Sequence, residues 1–124
     1  MAHGGLAREY LAAIEHVVGP QAGIKAIGIH ADDDRATKER EICKAADGVD
    51  TGDGVVVVTD LFGGSPSNLS LLACRPGNRR ILYGANLPML IKLAKSRNKT
   101  VPDAVRAALE AGKKYIDSQN VSPD

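Results

Sequence analysis

A histidine at position 3 is followed by Gly4-Gly5 and then by residues with helical periodicity. Its imidazole would stand where free backbone N–H groups and the positive end of a helix macrodipole converge, an arrangement that attracts anions such as phosphate. A second constellation, TDLFGGSPSN, occupies positions 59–68. Asp60 closes an apolar run, at the carboxyl edge where ligands bind in open parallel sheets. Gly63 and Gly64 let the backbone approach a ligand closely, and Ser65 with Ser67 brings hydroxyls to another helix N-terminus. Blander readings fit the same residues: His3 as a chain-terminal side chain, 59–68 as a plain strand-to-helix turn, and Asp60 as a helix-capping carboxylate that never meets a histidine.

Several familiar chemistries are excluded by motif. GxGxxG and GxxxxGK[ST] are absent, so neither a dinucleotide fingerprint nor a Walker loop is present, and GxSxG, the usual nucleophile elbow, is missing. His16 falls inside the first helical segment, as a surface or boundary residue. His30 precedes Asp32, Asp33 and Asp34, but three adjacent carboxylates diverge around a helix start, so no metal site is expected. Cys43 and Cys74 form no CxxC pair, which suggests neither a zinc site nor a redox dithiol; both are expected as buried, reduced thiols.

These residues need elements to position them. Leu6, Tyr10, Ile14, Val17 and Val18 recur at helical spacing until Gly19-Pro20 stops the run. Residues 24–30 (IKAIGIH) read as a strand, and the aspartates at 32–34 start a helix to about Ala46. The segment 53–60 (DGVVVVTD) is the strongest strand, buried on both faces as in a parallel sheet. Ser65 caps and Pro66 opens a helix over 66–74. A strand at 79–84, helices at 88–95 and 102–114, and a polar tail at 117–124 complete the pattern. The alternation predicts an α/β fold with a parallel sheet.

At 124 residues the chain fits one domain, taken as residues 1–116 plus the tail. Lys and Arg number 16 against 15 Asp and Glu, spread along the chain, so no electrostatic footprint for nucleic acid exists. No apolar run approaches the ~20 residues a membrane helix needs, and the chain reads as cytoplasmic, without membrane insertion.

Three stretches, AHGGLAREYLAAIEHVVG, VVVVTDLFGGSPSN and GANLPMLIKLA at 84–94, resemble in order and spacing the signature regions of the mannose-type (mannose/fructose/sorbose) enzyme IIA family of the sugar phosphotransferase system. The resemblance implies a doubly wound, mostly parallel sheet flanked by helices and a phosphohistidine phosphotransferase. His3 would be the phosphoryl acceptor, Asp60 would orient it, and Ser65 would hydrogen-bond the phosphoryl group. Leu61, Phe62, Gly63 and Gly64 would line the substrate side, the first two as an apolar rim for partner proteins. Phospho-HPr would be the donor and a IIB component the acceptor, with no metal or organic cofactor. A homodimer is implied, formed partly by exchange of a C-terminal strand, although residues 115–121 are short and polar here. Asn86, Pro88 and Met89 match the third signature, in a packing or dimer-contact role or in a direct one.

The chain departs from the family pattern at its beginning. Family members run an apolar strand directly into the histidine, whereas here only Met1-Ala2 precede His3. The expectation is a sheet lacking its first strand, with a natural start upstream of Met1. The alternative function is a regulatory phosphoprotein or an anion-binding module that controls other proteins without sugar transport; which sugar would be served is not legible.

Overall fold

The computed structural model of the chain describes residues 1–61 and 65–122, with only the backbone of Ser65, Pro66, Ser67 and Leu72. The elements run β1 (Ala2–His3), α1 (Leu6–Val18), β2 (Gly28–Ile29), α2 (Arg35–Val49), β3 (Val55–Val58), α3 (Ser65–Ser70), a 3-10 turn (Leu72–Cys74), β4 (Arg79–Leu82), α4 (Leu87–Ala94) and α5 (Val101–Lys114).

Helix boundaries follow local chemistry. Asp34 accepts from Thr37 N–H and starts α2, Asn86 accepts from Met89 N–H and starts α4, and Thr100 accepts from Asp103 N–H and starts α5; each side-chain oxygen satisfies a backbone donor that the helix leaves open. The helix expected over 66–74 divides into α3 and the 3-10 turn. Residues 116–122 are exposed and lack regular structure.

β1 pairs in parallel with β2, and β3 in parallel with β4. The two pairs are separate two-stranded ladders; the Met1 amine donates to Val58 O at 2.7 Å, which sets β1 beside β3 and places the strands in the order β2, β1, β3, β4. The four-valine run behaves as its composition predicts. Val55 and Val57 pack with Ile42 and Ala46 of α2 and Leu69 of α3, while Val56 and Val58 face Leu82, Met89 and Ala108 on the side of α4 and α5. Helices therefore cover both faces, the doubly wound arrangement.

Four expectations change. The first strand is not wholly missing, because Ala2 and His3 form β1; two residues suffice where Ala2 N–H reaches Ile27 O and Gly4 N–H reaches Ile29 O. The strand expected over 24–30 shrinks to Gly28–Ile29, the two residues that β1 reaches. Leu6 and Val17, expected on the apolar face of α1, are exposed, and its buried residues are Ala7 and Ile14. Cys43 and Cys74 are free thiols but half-buried at the edge of the α2 cluster.

Candidate functional site

In the order β2, β1, β3, β4 the chain reverses direction of winding between β1 and β3, and ligand crevices open beyond the carboxyl ends of strands at such a point. His3 ends β1, and Asp60 lies two residues past β3. The two segments that the sequence separates by 57 positions meet there: His3 Nδ1 lies 2.9 Å from Asp60 Oδ2, and the same oxygen accepts the His3 backbone N–H at 3.0 Å.

Each side of this pair is held from behind. Gly4 takes φ +58°, a left-handed conformation natural to glycine, and turns the chain from β1 into α1. Gly5 then occupies the N-cap of α1 without a side-chain cap bond, so among the described residues no side chain caps the first-turn N–H groups of this 13-residue helix, which begins three residues after His3. On the other side Thr59 is fully buried. Its N–H donates to Leu82 O and its carbonyl accepts from Ala85 N–H, which anchors the residue before Asp60 to β4 and the turn beyond it. Tyr10 Oη donates to Ala85 O, tying α1 to that turn. Neither Thr59 nor the Tyr10 hydroxyl stood out in the sequence; the only signal was a polar residue interrupting each apolar pattern.

The electrostatics fit a carboxylate serving an imidazole. The Asp60 side chain is 12% exposed and that of His3 is 50% exposed. Burial is the largest single influence on Asp60 and pushes its pKa up, but the backbone N–H, ring and charge of His3 together hold it below the ordinary carboxylate value. Asp60 stays ionised near neutrality. Its Oδ1 is buried and has no partner among the described residues, so His3 is the main claimant on this charge. With Nδ1 turned to the carboxylate, the ring nitrogen left without a hydrogen bond among the described residues is Nε2.

Of the other residues singled out, Leu61 is 58% exposed at the rim. Phe62, Gly63 and Gly64, and the Ser65 side chain, lie outside the described residues, while the Ser65 backbone begins α3. Asn86 caps α4 and donates to Gly112 O at 2.8 Å, and Met89 is buried against Gly112, so the NLPM segment joins α4 to α5 and the packing role is the one observed. Asp33 accepts the His30 N–H and pairs with Lys38, and Asp34 is spent on its cap. Among the described residues no group of three or more His, Cys, Asp or Glu side chains could hold a metal ion, and no helix is long and apolar enough to cross a membrane.

Comparison with known proteins comes to the same region of fold space. Residues 1–110 match the family model EIIA-man, the PTS system fructose IIA component. The chain is 25% identical over 124 residues to the PTS system mannose-specific EIIAB component of Escherichia coli K12, a match covering 98% of this chain and 38% of that protein. It thus spans well under half the length of the curated relatives it matches. The fold is similar to the mannose/sorbose specific IIA subunit of the phosphotransferase system from Enterococcus faecalis, with a TM-score of 0.86 at 24% identity, covering 98% and 92% of the two chains. It is also similar to phosphotransferase system component EIIA from Streptococcus agalactiae, with a TM-score of 0.83 at 25% identity and coverage of 94% and 92%.

Proposed function

The chain belongs to the EIIA-man family, and from that premise we propose that it is a phosphocarrier domain that takes a phosphoryl group onto His3 and hands it to a partner protein of a sugar transport system. The observation that carries this reading is the contact of 2.9 Å between His3 Nδ1 and Asp60 Oδ2 at the reversal of strand order. Asp60 is the positioning residue. By accepting a hydrogen bond from Nδ1–H it selects the tautomer whose Nε2 lone pair is free, and it stabilises the positive charge that the ring gains when Nε2 is phosphorylated.

The donor is the phosphohistidine of HPr and the acceptor a histidine of a IIB component. In each transfer the P–N bond to the departing imidazole breaks as the new P–N bond forms in line, and no metal or organic cofactor is required. The transition state is loose, with charge spread over the equatorial oxygens, so placement and hydrogen-bond donors do most of the work. The open first turn of α1 supplies such donors beside His3, and Ser65 at the start of α3 is the side chain proposed to add another. Leu61 and Phe62 form the apolar rim on which the protein partners dock, with Gly63 and Gly64 admitting the phosphoryl group. The folded unit is residues 1–116, acting in the cytoplasm and as a homodimer.

The test is intact mass after incubation with phosphoenolpyruvate, enzyme I and HPr. An acid-labile gain of one phosphoryl group, abolished in His3→Ala, is the expected result. No gain in the wild type overturns the carrier reading. Phosphate binding that survives His3→Ala without any covalent gain would favour an anion-binding module, for which the uncapped α1 N-terminus is the specific support.

A further inference from the structure

The two cysteines lie far apart in the sequence and without CxxC spacing, yet the fold brings both to one side of the sheet. Cys43 stands on α2 and Cys74 closes the 3-10 turn, and α2 packs directly on that turn. Both are half-buried free thiols against the same apolar cluster, which includes Ile42, Ala46, Val55 and Ala73.

Arg79 fixes how the two segments approach. Cys43 and Asp47 stand one turn apart on the same stripe of α2, which Asp50 extends at the C-cap. The Arg79 side chain, only 6% exposed, donates to Asp47 Oδ1 at 2.8 Å and to Asp50 Oδ2 at 3.2 Å. Its other terminal nitrogen donates to Ala73 O at 2.8 Å. One planar group therefore joins the stripe that carries Cys43 to the residue before Cys74, and Arg79 is itself anchored as the first residue of β4. Charge-assisted bonds of this kind hold their partners firmly. Burial pushes the Cys74 thiol up, Arg79 pulls it back, and the charge of Cys43 pushes it up again, as two neighbouring sulfurs require.

We propose that Cys43 and Cys74 form a redox modification site, in which a small-molecule disulfide converts the two thiols into one intramolecular disulfide between α2 and the 3-10 turn. In the first step one cysteine thiolate attacks the oxidant, giving a mixed disulfide and releasing half of the oxidant as a thiol. The second thiolate then attacks the protein sulfur of that mixed disulfide and releases the other half. The protein gives up two protons and two electrons, and the oxidant is reduced to two thiols. Half-burial admits a small oxidant, and the shared cluster makes the other cysteine the nearest nucleophile for the second step. Because the Cys74 thiol is held up, closure is slow at neutral pH and quickens as pH rises. The ring so closed runs from Cys43 to Cys74 and contains β3, Asp60 and α3, so the bridge ties α2 to the segment that carries half of the candidate site.

The experiment incubates the folded, reduced protein with glutathione disulfide and follows intact mass without reductant, alongside Cys43→Ser and Cys74→Ser. The expected wild-type product is a monomer lighter by two hydrogens, whose proteolytic map joins the Cys43 and Cys74 fragments and which dithiothreitol returns to the starting mass. Each single variant should stop at the first step, gaining one glutathionyl group. A wild type that accumulates glutathionyl adducts, links two chains, or keeps both thiols overturns the proposal, and this product decides the matter even where a variant fails to fold. The outcome is independent of phosphorylation at His3, so it stands or falls apart from the carrier reading.

Discussion

Changing Asp60 to Asn keeps the size of the side chain and removes its charge, which isolates what the carboxylate does for His3. Oδ2 accepts two hydrogen bonds, from the His3 backbone N–H at 3.0 Å and from Nδ1 at 2.9 Å. A bond to a charged acceptor contributes about 1.5–3 kcal/mol and one between neutral groups about 0.5–1.5 kcal/mol. An amide oxygen in the same place therefore forfeits about 1–2 kcal/mol at the ring. Because every 1.36 kcal/mol in the barrier is tenfold in rate, phosphorylation of His3 should slow by roughly 5- to 30-fold. The loss grows if the amide turns its NH2 toward the ring, since a donor at Nδ1 favours the tautomer that carries the proton on Nε2 and blocks the nucleophile. The assay is the initial rate of acid-labile phosphoryl incorporation at subsaturating phospho-HPr, with a thermal melt to confirm that the variant is folded. A folded Asp60→Asn within twofold of the wild-type rate, alongside an inactive His3→Ala, refutes the orienting role.

Three further outcomes follow from the same geometry. A Cβ at Gly28 would overlap Gly4 O, on the turn that aims His3, so Gly28→Ala should cost about 1–3 kcal/mol in urea melts and slow phosphorylation by shifting β1. Asn86→Ala removes the α4 cap and the bond to Gly112 O; stability should fall by about 1–2 kcal/mol while the phosphorylation rate of the folded protein stays at the wild-type value, and a slowed rate would instead give Asn86 a part in the site. Asp60 is held lower in the folded chain than its ordinary value near 4, so its ionisation adds stability that is present in full above that value and disappears as pH falls through the folded one. The gap in denaturation midpoint between wild type and Asp60→Asn should be constant above about pH 5 and narrow progressively in acid; a gap that widens in acid would contradict the sign.

Elements fixed by local chemistry were legible in advance. The aspartates at 32–34 marked the start of α2, where Asp34 accepts from Thr37 N–H, and the four valines of β3 carry their two-sided burial in their composition; the caps at Asn86 and Thr100 act just as locally but did not stand out. Both halves of the site were legible for the same reason, because His3 and Asp60 each close a segment at an end where ligands gather. Their partnership came from the family resemblance alone, not from the residues themselves. A carboxylate after a strand and before a helix serves equally well as a cap, and only the adjacency of β1 and β3, a property of topology, brings Oδ2 to the ring. Gly28 was similarly opaque, since its need for a bare Cα is set by Gly4 O on the turn that follows β1.

The largest difference between expectation and structure, the length of β2, has the same origin. Ile24 to Ile27 has the composition of a strand, but a strand exists only where a neighbour completes its ladder, and Ala2 and His3 reach no further than Gly28 and Ile29. Propensity and structure are therefore in agreement about these residues; what separates them is how far β1 runs beside them. Among the described residues the hydrogen bonds printed across the β1–β3 junction are those of the Met1 amine and of His3 with Asp60, so the site is both the product of this strand order and part of what holds it.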